Sequence, residues 1–128
     1  MTTLPLSVKG VLLVDSKVLL LLNERGEWEL PGGRMDPGET HAQALVREFR
    51  EELSVDVDAL GQVDSYDFEV IPSRYVHIVT YGCRLRGEFM PKVGDEHREF
   101  GLHALSGLDQ LPLPEGYRRS ILTWSRHA

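Results

Sequence analysis

Apolar residues fall along this chain in two rhythms, and the change between them marks its elements. Val8–Asp15 is rich in Val and Leu, "DSK" at 15–17 interrupts it, and "KVLLLLN" follows. A nearly continuous apolar run bounded by turn residues reads as a strand covered on both faces, so this part predicts a β-hairpin with a heavily buried second strand. "GEWELPGG" (26–33) predicts a short strand stopped by a Pro-Gly-Gly break. The period then lengthens. Ala42, Leu45, Phe49 and Leu53 recur at three- and four-residue steps, the stripe of an amphipathic helix. Thr40 and Gln43 form the T-x-x-Q capping box that starts it near residue 40. Val55–Leu60, Val63–Ile71 and Tyr75–Leu85 predict three strands, the last two joined through "IPSR" as a second hairpin. After a polar loop at 87–99, "FGLHAL" predicts a short strand, "SGLDQL" a turn of helix, and a closing helix begins near Glu115. Strands, helix, strands, helix is the order of a mixed sheet covered by helices, an α/β (α+β) architecture. No repeat or linker divides residues 1–128, which read as a single domain.

Composition narrows the partners. The 128 residues carry 41% hydrophobic and 27% charged side chains, enough for one core and a wet surface. The net charge of −6 argues against duplex nucleic acid, which demands a basic face. It leaves room for a small phosphorylated ligand bridged by a cation. Cys83 is the only cysteine, so no intrachain disulfide forms, and its strand context reads as a packed, inert thiol. No apolar run has signal-peptide or membrane-spanning length. A cytoplasmic protein with no membrane partner is the expectation.

The candidate chemistry lies in "GRMDPGETHAQALVREFREELSV" (33–55). On a helix, Glu48 and Glu52 lie about 40° apart, with Glu51 about 60° to the far side of Glu48. Like charges at this spacing repel by about 0.2–0.5 kcal/mol per pair. One reading is a solvated face relieved by Arg47 and Arg50. The preceding "LPGGRMDPGE" favours another, because a Gly- and Pro-rich loop lets backbone carbonyls turn towards a ligand. Mg²⁺ takes oxygen donors, typically one or two carboxylates with water and substrate phosphate. The acidic stripe beside that turn reads as a metal site.

At these residues the chain resembles the Nudix hydrolases, whose signature is G-x5-E-x7-R-E-U-x-E-E-x-G-U with U a bulky apolar residue. Gly33, Glu39, Arg47, Glu48, Glu51 and Glu52 match six of its seven fixed identities, and Phe49, Leu53 and Val55 are apolar as required. Ser54 stands where the family has glycine, which suits a left-handed helix exit. "GVLLVDSKVLLLLN", "WELPGG" and "DEHREFGLHALSGL" extend the likeness over most of the chain. The resemblance implies a Nudix α/β/α sandwich with a mixed sheet.

It also implies hydrolysis of a diphosphate linkage in a nucleoside diphosphate derivative (ADP-ribose-like or a nucleotide sugar) or a nucleoside triphosphate, with Mg²⁺ or Mn²⁺. The alternative is a catalytically silent, nucleotide-sensing member. By motif position, Glu51 and Glu52 are the principal metal ligands, Glu48 is a further ligand or the base, and the Gly33 carbonyl is a backbone ligand. Arg47 orients the glutamates, through Glu51, and Glu39 supports the loop. An additional acidic group from a later loop is expected at Glu96, with Glu99 second, and His97 beside it reads as a surface histidine. Trp28 is a candidate to stack on a base, with packing an equal alternative. Arg34, Arg74 and Tyr75 are candidates for phosphate or ribose, and Pro72 weakly suggests an ADP-ribose-type substrate. Homodimers occur in the family, so a homodimer is a possible state.

Overall fold

The structure, a computed structural model, describes residues 4–95, 97 and 99–127. Strands β1 (Leu6–Val14) and β2 (Lys17–Leu22) pair antiparallel across Asp15 and Ser16. Both turn residues have positive φ, 52° and 66°, the geometry that matches a tight turn to the twist of its strands. Side chains alternate between faces along a strand, so the unbroken apolar run supplies two cores at once. Val8, Leu12, Leu19 and Leu21 point to one cluster, while Val11, Val18 and Leu20 point to the other.

Each cluster is closed by a helix. Ala44, Leu45, Phe49 and Leu53 of α1 (His41–Leu53) cover the first, and Tyr117 and Ile121 of α2 (Glu115–Ser125) the second. Between the helices runs a sheet ordered β3 (Trp28–Glu29), β2, β1, β6 (Arg74–Leu85), β5 (Val57–Ile71). β4 (Gly32–Arg34) adds to β1, and β7 (Glu99–Ala104) adds to β2. β1 and β6 are parallel and the other pairs antiparallel, so the sheet is mixed as the chain order predicts.

Two expectations are corrected. The strands read as 55–60 and 63–71 are one strand, β5, with register shifts between Ala59 and Gly61 and between Gln62 and Asp64. Glycine inside a strand marks a bulge, which bends the ladder without ending it. The glycines of the Pro-Gly-Gly break are themselves strand: Gly32 pairs with Lys9 and Gly33 with Val8. Gly32 has φ 137°, and a Cβ there would lie 2.0 Å from the Val8 carbonyl oxygen, so the approach needs glycine.

α1 begins with the expected capping box, Thr40 Oγ1 accepting from the Gln43 N–H and the Gln43 side chain accepting from the Thr40 N–H. It ends at Ser54, whose φ of 56° and ψ of 34° are left-handed. Cys83 is buried, and burial pushes its thiol up to about 12, in keeping with a packed, unreactive group. No helix among the described residues is long and apolar enough to cross a membrane.

Candidate active site

The pairing of β4 with β1 brings the Gly32–Gly33 backbone against α1. Glu52 lies on the inner edge of that helix, 7% exposed, and its Oε1 accepts the Gly32 N–H at 2.8 Å. Burial pushes its carboxyl up to about 7, against the opposing effects of Lys9, the Gly32 N–H and His97. Burial also raises Glu48, countered by the hydrogen bond and charge of Arg47. A Cβ on Gly33 would come within 2.7–2.8 Å of the Glu48 carboxylate, so this glycine admits the carboxylate to the backbone. Glu51 is exposed one turn further along. These three glutamates line one cavity of about 240 Å³ together with Gly94, Asp95 and His97.

Arg47 ties the helix to the turn. Its Nε and Nη2 donate to the two oxygens of Glu39 at 2.7 and 2.9 Å, a bidentate fork, and Nη2 also donates to the Arg34 carbonyl at 3.0 Å. Nη1 reaches Glu48 at 3.0 Å and Glu51 at 3.3 Å. The shorter contacts therefore go to Glu39 and Glu48, and the expected link through Glu51 is the longest of the set. Glu39 also accepts the Asp36 N–H at 2.7 Å, which closes the turn. The hydrogen bonds from Arg47 and Asp36 hold its carboxyl at about 2.

The donor set suits a hard divalent cation: three carboxylates and the carbonyls of a glycine turn, all oxygen. Two of the carboxylates have raised pKa values, chiefly because burial opposes their charged form, with a smaller addition from the neighbouring glutamate charge. Among the described residues no three acidic, His or Cys side chains already converge on one point, because Arg47, Gly32 and His97 hold them apart. The residues fit Mg²⁺ or Mn²⁺ in chemistry, with side-chain rotation needed to close around it.

The loop before β7 completes the cavity. Lys92 N–H donates to Leu53 O and Gly94 N–H to Glu52 O, both at 2.8 Å, which docks the loop on the free carbonyls at the end of α1. This docking carries Asp95 to the glutamates, a residue that nothing in "GDEHRE" distinguishes from its acidic neighbours. Glu96, the expected acidic group, lies outside the described residues. Glu99 is exposed on β7, opposite Leu22, and does not line the cavity.

His97 is not a surface histidine. Its side chain is 8% exposed, its Nε2 lies 2.6 Å from Glu29 Oε1, and its Nδ1 lies 3.4 Å from Glu52 Oε2. The Glu29 hydrogen bond raises the imidazole pKa despite burial. Burial opposes the charged form of Glu29, yet His97 and the nearby Lys9 hold its carboxyl at about 2. Glu29 and Lys9 escaped the sequence reading because a Glu on a short strand and a lone Lys in an apolar run carry no local signal.

Arg34, Arg74 and Tyr75 come together, with Arg25, along a groove of about 530 Å³. Arg25 also borders the cleft formed by Gly32, Gly33, Glu48 and Glu52, so the groove continues from the glutamates. Trp28 lines neither. Its ring packs edge-on against His103, centroids 4.3 Å apart, and its backbone N–H donates to Pro112 O, which is the packing alternative.

A mixed sheet between two helices, with an acidic helix set against a Gly-Gly turn, defines the class structurally. The chain belongs to the NUDIX domain family, which matches residues 3–124. It is 37% identical over 76 residues to a CTP pyrophosphohydrolase of Escherichia coli, covering 56% of each chain. In structure it is similar to a MutT NUDIX hydrolase from Burkholderia pseudomallei (TM-score 0.82, 26% identity, 95% of this chain and 98% of that one). It also resembles an ADP-ribose pyrophosphatase from Streptococcus suis (TM-score 0.75, 29% identity, 97% and 93%). The match spans about half the length of that curated relative.

Proposed function

We propose that this protein hydrolyses a diphosphate linkage in a nucleoside triphosphate or a nucleoside diphosphate derivative, using Mg²⁺ or Mn²⁺. The observation that carries this reading is the cavity in which Glu48, Glu51 and Glu52 meet beside the Gly32–Gly33 turn. Glu51, Glu52, Glu48 and the Gly33 carbonyl would hold the cation. When bound, it supplies positive charge to the phosphate oxygens and lowers the pKa of a coordinated water.

The protein's own groups do the rest. Burial raises the pKa of both Glu48 and Glu52, which makes each a better proton acceptor than an exposed carboxylate, and Glu48 is the more open of the two to an entering water. Arg47 and Glu39 fix the helix against the turn and keep Glu48 aimed at the cavity. Asp95 is assigned as the further acidic group at its mouth. Arg25, Arg34 and Arg74 provide planar donors suited to phosphate, with Tyr75 beside them for the sugar. The buried, unpaired Cys83 suits a reducing cytoplasm.

The test is phosphate release from nucleoside triphosphates, ADP-ribose, dinucleoside polyphosphates and nucleotide sugars, with Mg²⁺ or Mn²⁺ and an added phosphatase to reveal monophosphate products. Glu52→Gln keeps the shape and removes the charge. The expected result is cleavage of at least one compound, reduced by orders of magnitude in the variant. Full activity in Glu52→Gln would sink the assignment. Silence across the panel with metal still bound would mean a sensing module.

A further inference from the structure

A second pocket, of about 130 Å³, opens beside the glutamate cleft and contains a charge that the proposed hydrolysis leaves unused. Its apolar walls include Phe68, Val76, Ile78 and Tyr117, and its polar lining is Ser7, Lys9, Arg25 and Glu29. Phe68 and Tyr117 form an aromatic corner, their centroids 5.7 Å apart and their planes inclined by 55°. Lys9 is only 9% exposed, with its ammonium 5.9 Å from the Tyr117 centroid.

Burying an ammonium is expensive unless its donors are satisfied. Lys9 has three donors. Among the described residues it makes one hydrogen bond, a long one of 3.4 Å to Gly32 O, and no carboxylate lies within ion-pair distance. Glu29 is nearly the converse. Its oxygens accept from His97 at 2.6 Å and from Asn23 Nδ2 at 3.3 Å. A carboxylate has about four lone-pair sites, so two remain. A donor and an acceptor with spare capacity thus face one apolar-walled pocket.

We infer that this pocket binds the base of a pyrimidine nucleotide, with Lys9 donating to a ring carbonyl oxygen and Glu29 accepting a base N–H. Size selects the ring. A cavity of about 150 Å³ takes one benzene, so the 130 Å³ of this pocket is filled by a single six-membered ring, and the second ring of a purine would have to lie outside it, in the open cleft. Flat apolar walls suit its faces, and the Lys9–Glu29 pair suits its edge, where a ring carbonyl oxygen accepts from Lys9 and the N3–H of uracil or the 4-amino group of cytosine donates to Glu29. Continuity with the catalytic cleft supports the same ligand. Glu29 and Arg25 border both the pocket and the cleft of Gly32, Gly33, Glu48 and Glu52. The arginine groove shares Val70 and Val76 with the pocket, leaving space outside it for the ribose. The assignment rests on reading the glutamate cleft as the diphosphate site.

The experiment is equilibrium binding of CMP, UMP, AMP and GMP to the full chain without divalent metal, by calorimetry, alongside kcat/KM for the four triphosphates with metal. CMP and UMP are expected to bind at least tenfold more tightly than AMP and GMP. Lys9→Met, which keeps the length and removes the donors, should erase that preference. Val76→Phe, which fills the pocket without touching a charge, should abolish pyrimidine binding and leave the metal-induced rise in Tm intact. Equal binding of purines, no binding of any monophosphate, or an undiminished preference in folded Lys9→Met or Val76→Phe overturns the assignment. Hydrolysis of all four triphosphates with equal kcat/KM would overturn the pocket and leave the hydrolase standing. Selective CMP and UMP binding without hydrolysis would do the reverse.

Discussion

Arg47→Lys isolates geometry from charge, because net charge is unchanged while the planar fork is lost. Arg47 makes five hydrogen bonds: two to Glu39, one each to Glu48 and Glu51, and one to the Arg34 carbonyl. A lysine ammonium at the end of a shorter reach serves one carboxylate and leaves the others. Hydrogen bonds to charged groups contribute about 1.5–3 kcal/mol each when well buried. The side chains of Arg47 and Glu39 are 25% and 17% exposed, so solvent screens part of that. Allowing for the contact lysine keeps, the loss should be about 2 kcal/mol. At about 4 °C per kcal/mol for a domain of this size, the Tm falls by roughly 8 °C. The effect on chemistry should be larger, because Glu48 and Glu39 lose the group that aims them. Outer-shell changes of this kind typically reduce metal affinity or activity by about 10–100-fold. The assay is thermal unfolding by circular dichroism without metal, followed by turnover and metal titration on a cleaved substrate. Wild-type unfolding with wild-type turnover would refute the view that the fork organises the site. A drop in Tm with unchanged turnover would reduce Arg47 to a structural tie.

Three further outcomes are expected. Ser54→Gly relieves a left-handed residue at the exit of α1 and should stabilise the fold by about 1 kcal/mol, read as a higher urea midpoint with unchanged turnover. Gly82→Ala places a Cβ 2.1 Å from the Trp124 ring, so α2 must shift off the sheet and the protein should lose several °C in Tm; an unperturbed Tm would show that α2 docks more loosely than this. In metal-free protein, Glu52 is raised from 4.5 to about 7 by burial, so the native state holds a proton that the unfolded state releases. Stability should therefore be full below about pH 4.5 on this account and fall by up to about 3 kcal/mol as pH rises through 7. The raised Glu48 and His97 act in the same direction, whereas Glu29 and Glu39, at about 2, stay ionised throughout. Glu52→Gln should flatten the slope between pH 5 and 8, and a wild-type Tm that rises over this window would contradict the burial of Glu52.

Local patterns carried much of this protein. The capping box at Thr40 and Gln43, the apolar stripe of α1, the two hairpin turns and the acidic stripe that lines the candidate site were all legible because each is set by neighbours within a few positions. Helix periodicity alone placed Glu48, Glu51 and Glu52 beside one another, and the glycines announced a turn. What the chain order could not express was pairing between distant segments. β4 is a strand only because β1 lies alongside it, and β5 runs through Gly61 because β6 continues to pair on either side of the bulge.

The same reason governs the rest of the site. His97 looks exposed in a polar loop, yet backbone bonds from Lys92 and Gly94 to the end of α1 fold that loop inward and bury the imidazole between Glu29 and Glu52. Lys9 looks like an isolated charge in an apolar strand, and only the packing of β3 and α2 gives it Glu29 and Tyr117 as neighbours. Sequence by itself determined which helix bears the carboxylates, since spacing along one helix fixes the face. Tertiary structure decided which of them is buried, what it is bonded to and what pocket stands next to it, since burial and long-range contact depend on segments far apart in the chain.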